Sequence, residues 1–420
     1  MTEEIKQRIE QIRQGIVPDG YKNGKYSVIP FEWSQEILSN LSDNITKGAT
    51  PTTYGYTWED QGILFLRSDC VSENGFVSKA PVFISEEAHK MMNRSVVQAG
   101  DILISITGYL GKVGLVPTYI HEANINQHIA RVRPYADRCN STFVYYYLGT
   151  APLKKWFELI QTGQAYPQLS LEQIRQIKIP APPIQEQQRI AEVLTAQNRT
   201  IELKEKLLAE KQRQKKYLMQ QLLTGKKRLS GFDGGWMYVR ANQIFKNVID
   251  KKHNGTLEVL SATQDRGIIP RSQVDIDIKY AEESLTGYKK VVKGNFVISL
   301  RSFQGGIEYS EHTGIVSPAY TVLTSMCPIE DGYYKQFFKS TDYINRLNIA
   351  VYGIRDGKQI SYDDFGRIMI PYPPLEEQKA IATVLATADK EIEILKQAVE
   401  QEKQKKKALM QLLLTGIVRV

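Results

Sequence analysis

Two long stretches of this 420-residue chain are copies of one another, and they decide its fold. Residues 182–225 read PPIQEQQRIAEVLTAQNRTIELKEKLLAEKQRQKKYLMQQLLTG, and residues 373–416 read PPLEEQKAIATVLATADKEIEILKQAVEQEKQKKKALMQLLLTG. The two stretches align without a gap, and 19 of their 44 positions are identical. An internal repeat of this length predicts a protein built as two related halves.

Each copy carries the signals of one long helix. A Pro-Pro pair favours a helix start at residues 182–183 and 373–374, and a glycine favours a helix end at Gly225 and Gly416. About 40 residues at about 1.5 Å each would give a helix of roughly 60 Å. A helix of that length is expected to pack along a partner, and the natural partner is the other copy.

The apolar residues of each copy recur in steps that are multiples of seven, as in a coiled coil. The predicted coiled-coil interface consists of Leu194, Ile201, Leu208 and Leu222 in the first copy and Leu385, Ile392, Val399 and Leu413 in the second. A lysine, Lys215 or Lys406, interrupts both series at the same step. Ordinary core helices, or a coiled coil that only dimerises the chain, are the alternatives to an antiparallel pair.

The repeat predicts a mixed α/β fold with two globular domains of strands and short helices joined by the two long helices. The predicted segments are an N-terminal helix (1–20), a first variable domain (21–181), the first long helix (182–226), a second variable domain (227–372) and the second long helix (373–420). The sequence Gly15-Ile16-Val17 repeats Gly416-Ile417-Val418. We therefore expect a circular, pseudo-two-fold layout in which the two chain ends lie close together.

The variable domains share a framework but differ in their loops. Residues 100–105 (GDILIS) and 294–299 (GNFVIS) each predict a turn that leads into a strand with period-two alternation. Residues 177–180 and 368–371 predict a last strand that leads into the long helix. Divergent loops on a common framework are expected to contact different ligands.

Those loops are rich in residues that contact nucleic acid. Arginine pairs with guanine and Asn or Gln with adenine through two hydrogen bonds, while Lys, Ser, Thr and Tyr hold the phosphate backbone. Ordinary turns use the same residue types, so the inference rests on the whole set. The candidate DNA-binding residues are Thr107, Tyr109, Lys112, Asn124, Asn126, Gln127, Gln164 and Tyr166 in the first domain, Lys226, Lys227 and Arg228 in the turn after the first long helix, and Arg301, Ser302, Gln304, Tyr320, Arg355, Lys358 and Gln359 in the second domain.

Charge and composition are compatible with this interpretation. The net charge is +8 and the pI is about 9.0, values that suit a nucleic-acid partner without requiring one. No apolar run is long enough to cross a membrane, and the cysteines at 70, 139 and 327 have neither a disulfide framework nor a zinc spacing. We expect a cytoplasmic protein.

The sequence contains none of the catalytic motifs that its size would allow. It has no Gly-x4-Gly-Lys-Ser/Thr phosphate loop, no Asn-Pro-Pro-aromatic segment of an amino-methyltransferase and no Gly-x-Gly-x-x-Gly. Asp275-x-Asp277-x-Lys279 is similar to a nuclease's acidic cluster, but its alternation with Val274, Ile276 and Ile278 favours a strand with a polar face. The chain is therefore expected to have no catalytic or metal site and to bind no cofactor.

The whole arrangement resembles the specificity subunits of type I restriction-modification enzymes. The resemblance is carried by the paired Pro-Pro-x-x-Glu-Gln-x-x-Ile-Ala-x-x-Leu stretches, their Leu-Leu-Thr-Gly ends, the Gly-Asp-Ile-Leu-Ile-Ser and Asn-Gln-His elements of the first domain, and residues 301–306, 317–320 and 353–357 of the second. It covers essentially the whole chain. The sequence departs from the expected Gly-Asp pair only at Asn295, where a turn accepts either residue.

The resemblance implies a DNA-reading subunit that is not itself an enzyme. Each variable domain would recognise one half of an asymmetric bipartite site in double-stranded DNA, and the helices would fix the spacer and dock two methyltransferase subunits. Two restriction and translocase subunits would join in the full complex. AdoMet, ATP and Mg would then be bound by those partners.

Two other classes of function stay open at this stage. A coiled-coil interaction scaffold without DNA binding would explain the repeated helices but not the divergent loops. A fused restriction enzyme would need an active site that the motifs do not reveal. DNA binding at low salt separates the first class from our hypothesis, and DNA methylation by the single chain would establish the second.

Overall fold

The computed structural model describes residues 2–72, 75–77, 80–163, 166–274, 282–350 and 360–420. The chain forms two compact units: unit 1 comprises Met1–Leu203 and Val399–Val420, and unit 2 comprises Lys204–Ala398. Each unit thus contains one variable region and a part of each long helix. No helix in the described ranges combines the length and the apolar character needed to span a bilayer.

Unit 1 is a mixed α/β structure. Its helices are α1 (Glu3–Arg13), α2 (Leu38–Leu41), α3 (Glu86–Met91), α4 (Ser141–Leu148), α5 (Ala151–Ile160), α6 (Leu171–Arg175) and the part of α7 (Ile184–Leu222) up to Leu203. Its strands are β1 (Tyr21–Asn23), β2 (Val28–Pro30), β3 (Ser34–Ile37), β4 (Thr46–Lys47), β5 (Ile63–Leu66), β6 (Val71–Ser72), β7 (Gly75–Phe76), β8 (Phe83–Ile84), β9 (Val96–Val97), β10 (Ile102–Ser105), β11 (Val113–Leu115), β12 (Ala123–Ile125), β13 (Ile129–Val132) and β14 (Lys178–Ala181).

Two four-stranded sheets organise unit 1, in the orders β11-β10-β13-β4 and β8-β5-β12-β9. In the first sheet every pair is antiparallel, and in the second only β12 and β5 are parallel. Strand β10 is buried on both faces: Ile102 and Ile104 belong to one hydrophobic cluster and Leu103 to another. The predicted strand at 102–105 is confirmed, but it has no solvent face, because a core covers each side of its sheet.

Unit 2 repeats the first of these sheets, while its other described strands pair in two-stranded sheets. Its strands are β15 (Met237–Arg240), β16 (Phe245–Val248), β17 (Leu260–Thr263), β18 (Gly267–Pro270), β19 (Lys289–Val291), β20 (Phe296–Ile298), β21 (Glu308–Tyr309), β22 (Gly314–Val316), β23 (Thr321–Ser325) and β24 (Met369–Tyr372). Its helices are the rest of α7, then α8 (Ala241–Ile244), α9 (Ser302–Gly305), α10 (Asp331–Phe337), α11 (Thr341–Ala350), α12 (Tyr362–Arg367) and the part of α13 (Leu375–Leu413) up to Ala398.

The central sheet of unit 2 has the order β16-β23-β20-β21 and is antiparallel throughout. Strand β20 is again divided between two cores, with Phe296 and Ile298 in one cluster and Val297 in the other. The two strands that the sequence aligned by their GDILIS and GNFVIS segments therefore occupy the same place in the two units. The Asp275–Lys279 segment lies outside the described residues.

Each variable region ends in a two-stranded ribbon. In unit 1, β14 pairs antiparallel with β3, which directly follows Trp33. In unit 2, β24 pairs antiparallel with β15, which directly follows Trp236. The last strand of each region thus lies beside the strand that follows the tryptophan, and it leads the chain into the long helix.

The start of α7 is held by an ion pair with the end of the chain. Arg419 donates through Nε and Nη2 to the carboxylate of Glu186, with Nη2 2.7 Å from Oε2. The indole Nε1 of Trp33 donates to the same carboxylate at 3.3 Å, and the Arg419 guanidinium lies over the Trp33 ring at 5.4 Å. The bond to Glu186 raises the pKa of Arg419, so the guanidinium stays charged.

The start of α13 is held in the same way. Arg228 donates to Glu377 at 2.5 and 2.6 Å, Trp236 Nε1 donates to it at 2.9 Å, and the guanidinium lies 5.3 Å from the Trp236 ring centroid. The bond to Glu377 raises the pKa of Arg228. We call each Glu-Arg-Trp set a clasp. The unit 1 clasp joins residues from the two ends of the chain, and the unit 2 clasp joins their repeat equivalents in mid-chain.

The glutamine after each clasp glutamate fixes a short helix of the variable region. Gln187 is buried, donates to the carbonyl of Pro182 at 2.9 Å and accepts from the Asn140 amide, just before α4, at 2.9 Å. Gln378 is buried, donates to Pro373 at 2.8 Å and accepts from the Glu330 amide, just before α10, at 2.9 Å. These contacts explain why the Pro-Pro-x-x-Glu-Gln motif occurs twice.

The lysines that interrupt the apolar series make equivalent contacts within each unit. Lys215 Nζ lies 2.5 Å from Asp389 Oδ1 in unit 2, and Lys406 Nζ lies 2.6 Å from Asn198 Oδ1 in unit 1. Asn198 and Asp389 are the same position of the repeat. Within unit 2, Lys211 also contacts Glu391 at 2.7 Å, so the contacts run in opposite order along the two helices, as antiparallel packing requires.

The predicted interface residues are mostly inaccessible to solvent. All of Leu194, Ile201, Leu222, Leu385, Ile392, Val399 and Leu413 are buried, whereas Leu208 is half-buried. The ends of the chain also meet in unit 1, where Arg8 Nη1 of α1 donates to the carbonyl of Ile417 at 2.7 Å. The isoleucine face of α1 is only partly covered, since no residue of this helix is fully buried.

Candidate nucleic-acid interface

Loops distant in sequence converge at one end of the β10–β13 sheet of unit 1. The amide of Ile106 donates to the carbonyl of His128 at 3.0 Å, and the amide of Gly108 donates to that of Pro167 at 3.0 Å. Thr107 and Gln168 form a further antiparallel bridge. The loop after β10, the turn before β13 and the loop before α6 therefore form one surface.

Several candidate side chains of unit 1 are exposed on this surface. Tyr109 is 81% exposed and Tyr166 is 56% exposed, and Lys112 Nζ lies over the Tyr109 ring at 4.5 Å. Gln127 is exposed and accepts a hydrogen bond from Thr50 Oγ1 at 2.6 Å. Gln127 Nε2 also lies 3.2 Å from His128 Nε2. An aromatic ring, a cation and an exposed amide thus lie together where base edges and phosphates could reach them.

Two other candidates on this surface are half-buried. The Asn126 side chain accepts from the amide of His128 at 3.2 Å and shapes the turn. Thr107 takes part in the bridge through its backbone. Gln164 lies outside the described residues.

Asn124 is a correction to the candidate set. Its side chain is fully buried, with Nδ2 donating to the carbonyl of Met92 at 3.0 Å and to Ser95 Oγ at 2.7 Å, and with Oδ1 2.6 Å from His89 Nδ1. These bonds use its amide within the protein, so it cannot contact a base in this structure. Asn124 instead anchors α3 and the turn after it to β12.

Sequence inspection missed the segment from Gly48 to Gly55, which borders the same surface. A Cβ at Gly48 would lie 1.8 Å from the carbonyl oxygen of Ile125, so only glycine permits the approach. Thr50 contacts Gln127, as described above, and the Tyr54 ring is 50% exposed. The Gly-Ala-Thr-Pro-Thr-Thr-Tyr-Gly composition was the available signal, but it also suits an ordinary turn.

In unit 2 the loop after β20 presents Arg301 and Gln304 to solvent. Gly306 has φ of +80°, and a Cβ there would lie 2.0 Å from the carbonyl oxygen of Phe338, so the loop requires glycine at this point. Lys339 Nζ donates to the carbonyls of Gly305 at 2.9 Å and Gln264 at 3.2 Å. This lysine joins the loop to the β17–β18 hairpin.

Ser302 is a second correction. It is 1% exposed, and its Oγ accepts from the amide of Ser299 at 2.8 Å. The hydroxyl therefore stabilises the turn between β20 and α9 and does not reach solvent. Arg355, Lys358 and Gln359 lie outside the described residues.

Cations gather around Tyr320 in unit 2. Lys289 Nζ donates to the Tyr320 carbonyl at 2.5 Å, and burial lowers the pKa of Lys289, with Lys251 nearby lowering it further. Burial raises the pKa of the half-buried Tyr320 phenol, while Arg271 and Arg301 act to lower it. The cationic side chains Lys289, Arg271 and Arg301 around Tyr320 favour an anionic ligand.

Arg228 is a third correction. Both edges of its guanidinium are engaged, by Glu377 in the clasp and by the carbonyl of Gly234, which Nη1 contacts at 2.5 Å. These three bonds hold the guanidinium in the clasp and turn it away from a role as a phosphate contact. The neighbouring Lys226 and Lys227 are exposed and stay candidates for a backbone contact.

Two regions of the chain match one protein family. The model of the type I restriction modification DNA specificity domain matches residues 36–213 and again residues 234–402. The chain is 24% identical over 427 residues to a putative type I restriction enzyme MjaX specificity subunit of Methanocaldococcus jannaschii, an alignment that covers 96% of this chain and 97% of that protein.

Solved structures share the fold. The S subunit of a type I restriction-modification system from M. genitalium matches with a TM-score of 0.57 at 14% identity, covering 95% of this chain and 99% of the other. The HsdS subunit from Thermoanaerobacter tengcongensis matches with a TM-score of 0.50 at 20% identity, covering 94% and 99%.

Proposed function

This chain belongs to the type I restriction-modification DNA specificity family, whose domain it carries twice, and we propose that each of its two units reads one half of an asymmetric, bipartite DNA site. The observation that carries the proposal is a contrast within the chain. The clasps, the buried glutamines and the ribbons of the two units correspond contact by contact. The exposed loops built on them carry different side chains.

The two surfaces offer different chemistry to a DNA groove. Unit 1 presents Tyr109, Lys112 and Gln127, and Gln pairs best with adenine. Unit 2 presents Arg301 and Gln304 beside the cations around Tyr320, and Arg pairs best with guanine. Two domains that share a framework but expose different side chains recognise an asymmetric site.

The long helices set the unread spacer and dock the methyltransferase. In this proposal α7 and α13 form an antiparallel coiled coil with a pseudo-two-fold, circular layout. Half-sites about one helical turn apart are roughly 35 Å from each other, which helices of roughly 60 Å can span. The proposed domains keep the limits predicted from the sequence, at 1–20, 21–181, 182–226, 227–372 and 373–420. Residues 1–20 complete the circular layout.

The repeat supports two docking positions for two identical partners. Leu203 in unit 1 is 51% exposed, and its repeat equivalent Ile394 in unit 2 is 56% exposed. Large apolar side chains exposed at the same position of both copies suit the same partner surface used twice. We assign one methyltransferase subunit to each position.

The chain itself supplies recognition and no chemistry in this proposal. It is not an enzyme and holds no cofactor, because the methylating and cleaving steps belong to its partners. Two methyltransferase subunits bind AdoMet, and two restriction and translocase subunits bind ATP and Mg. The complex acts on double-stranded DNA in the cytoplasm.

Methylation sequencing tests the proposal directly. DNA is compared from a host that expresses this chain with its methyltransferase subunit and from a matched host that lacks only this chain. The expected result is methyl-adenine at a split, asymmetric motif that depends on the chain. Active methyltransferase without any chain-dependent motif would overturn the proposal and favour a scaffold without DNA binding.

A further inference from the structure

Unit 1 contains a cavity of about 350 Å³ that none of the candidate contacts uses. It opens between the Gly48–Gly55 segment, the end of α3 and α6. Its charged lining residues are Lys47, Arg94 and Arg175, and its lining contains no aspartate or glutamate. A cavity bordered by cations alone attracts an anion.

Two of these cations are available to a ligand. Lys47 and Arg94 are exposed, and neither forms an ion pair with any residue in the described ranges. Arg175 is anchored, because its Nη2 donates to the carbonyl of Ile45 at 3.1 Å and its Nη1 lies 3.5 Å from Glu172 Oε2. The site therefore combines a fixed guanidinium with two exposed cationic side chains.

The rest of the lining includes two exposed apolar side chains. Tyr54 is 50% exposed and Met91 is 59% exposed, and both line the cavity. A free inorganic anion would gain nothing from these side chains. A phosphodiester carries a deoxyribose on each side of its charge, and that sugar can pack on an aromatic ring and a thioether.

The cavity is continuous with the reading surface of unit 1. Gly48 lies against the backbone of Ile125 and Asn126, and Thr50 in the same segment bonds to Gln127 at 2.6 Å. Resting on the proposed function, we propose that this cavity binds one backbone phosphodiester of the DNA strand flanking the half-site that unit 1 reads. Lys47, Arg94 and Arg175 bind the phosphate, and Tyr54 and Met91 contact the sugar.

The salt dependence of DNA binding tests this site. DNA that carries the methylation site is titrated against the full chain in complex with its methyltransferase subunits. The measurement is made for the wild type and for the double variant Lys47→Gln/Arg94→Gln. Loss of one phosphate contact lowers the slope of log affinity against log salt by about 0.9, so between 50 and 200 mM salt the variant loses about 3.5-fold less affinity than the wild type. The methylated motif stays the same, because a phosphate contact carries no base information.

Lys90→Gln is the matched control. Lys90 lies on α3 next to Met91, its side chain is 75% exposed, and it is 3.9 Å from Glu86 without lining the cavity. This variant should keep the wild-type slope. An equal fall in slope for Lys90→Gln and the double variant would overturn the proposal, since it would indicate only a general effect of net charge.

A duplex with neutral methylphosphonates, placed one at a time, locates the contact. Neutralising one flanking phosphate should weaken wild-type binding and leave the double variant unaffected. If the variant responds to every position as the wild type does, the cavity does not hold a phosphodiester. If the wild-type complex shows no site-specific binding at all, the proposed function fails as well, and the two failures are thereby distinguished.

Discussion

Residue type alone does not distinguish a DNA contact from a structural bond. Asn124, Ser302 and Arg228 have side chains that commonly contact DNA, yet each is used inside the protein. The partners of Asn124 and the Glu377 carboxylate beside Arg228 lie far away in sequence, so the sequence alone does not reveal them, whereas Ser302 bonds to Ser299 in the same turn. Tyr109, Gln127 and Arg301 are exposed, and their role in recognition stays a prediction.

Arg301 is expected to contact a base and Lys227 a backbone phosphate, so their substitutions should have different effects on DNA binding. Arg301→Ala is expected to weaken binding by about 1–3 kcal/mol and to relax the sequence preference of one half-site only. Lys227→Ala should weaken binding to all sequences alike and reduce the salt slope by about 0.9. Competition binding with randomised half-sites measures both effects. An equal loss of preference in both half-sites for Arg301→Ala would contradict the modular arrangement.

Asn124→Ala is expected to destabilise unit 1 without changing the DNA motif. The substitution leaves buried partners at Met92, Ser95 and His89 unsatisfied, which costs about 2–3 kcal/mol. Thermal unfolding should occur at a lower temperature, while methylation sequencing at a permissive temperature returns the wild-type motif. A changed motif in a fully folded variant would restore Asn124 to the DNA contacts.

Glu308 should make unit 2 lose stability as the pH rises. Burial raises the pKa of this carboxyl although Lys339 lies 2.5 Å away and acts to lower it. The folded state then holds the proton more tightly than the unfolded state, whose pKa is about 4.3. The stabilising contribution is present below that value and is lost as the pH rises through the folded pKa. Glu308→Gln should remove this component of the pH slope.

Glu311 provides the opposite case in the same unit. Its pKa is lowered, chiefly by the hydrogen bond from Lys335. Its contribution is therefore present above the unfolded pKa and is lost as the pH falls, so Glu311→Gln should change the slope in the other direction. Amide hydrogen exchange in β20 and β23, corrected for its intrinsic pH dependence, measures both variants. Changes of the same sign would contradict the assignment.

At the scale of elements, the sequence predicts what repeats with a regular period. The long helices were predicted from their seven-residue spacing, and they begin and end at Ile184–Leu222 and Leu375–Leu413. The strands at 102–105 and 296–298 were predicted from apolar alternation, which did not reveal that both of their faces are covered. The clasps were missed because each combines residues more than 140 positions apart.

The clasp of unit 2 should be sensitive to the shape of its cation. Arg228→Ala leaves the fully buried Glu377 carboxylate without its partner, which is expected to cost about 2–4 kcal/mol. Arg228→Lys keeps the charge but not the two parallel bonds, and it should recover only part of the loss. Hydrogen exchange at the start of α13 measures the change.

Lys226→Ala is the control for that clasp. Lys226 is exposed two residues before Arg228 in the same turn, and its removal should change stability by no more than about 0.5 kcal/mol. Full recovery by Arg228→Lys would mean that the charge alone stabilises the helix start.

At the scale of the whole molecule, the repeat predicts the number of methyltransferase subunits that the chain binds. Leu203→Lys or Ile394→Lys should each remove one methyltransferase subunit, and the double variant should remove both, because a charge at the centre of an apolar contact prevents association. Native mass spectrometry of the assembled complex measures the stoichiometry. The matched controls are Glu202→Lys and Glu393→Lys, which add the same lysine at equivalent exposed positions on an adjacent face of each helix. Unchanged stoichiometry in all variants would place the partner elsewhere.

The repeat of residues 182–225 in residues 373–416 predicted two related halves, and the two units do share a four-stranded sheet and a clasp. The circular, pseudo-two-fold layout of the whole chain stays a prediction. The repeated Gly-Ile-Val required the chain ends to be neighbours, and Arg8 of α1 does contact Ile417. The DNA-contacting atoms were the least predictable, because divergent loops follow no period.

The two clasps and their glutamines define the few contacts that a DNA-recognition domain from another protein must make with the long helices of this chain. A transplanted domain needs an indole N–H just before the strand that pairs with its last strand, as a donor to Glu186 or Glu377. It also needs one unpaired backbone N–H where a short helix begins, as a donor to Gln187 or Gln378. These contacts place no constraint on the sequence between them. Recombination with junctions just before the tryptophan and just after the Pro-Pro pair would therefore transfer the DNA preference of one domain as a single segment, in nature or in the laboratory.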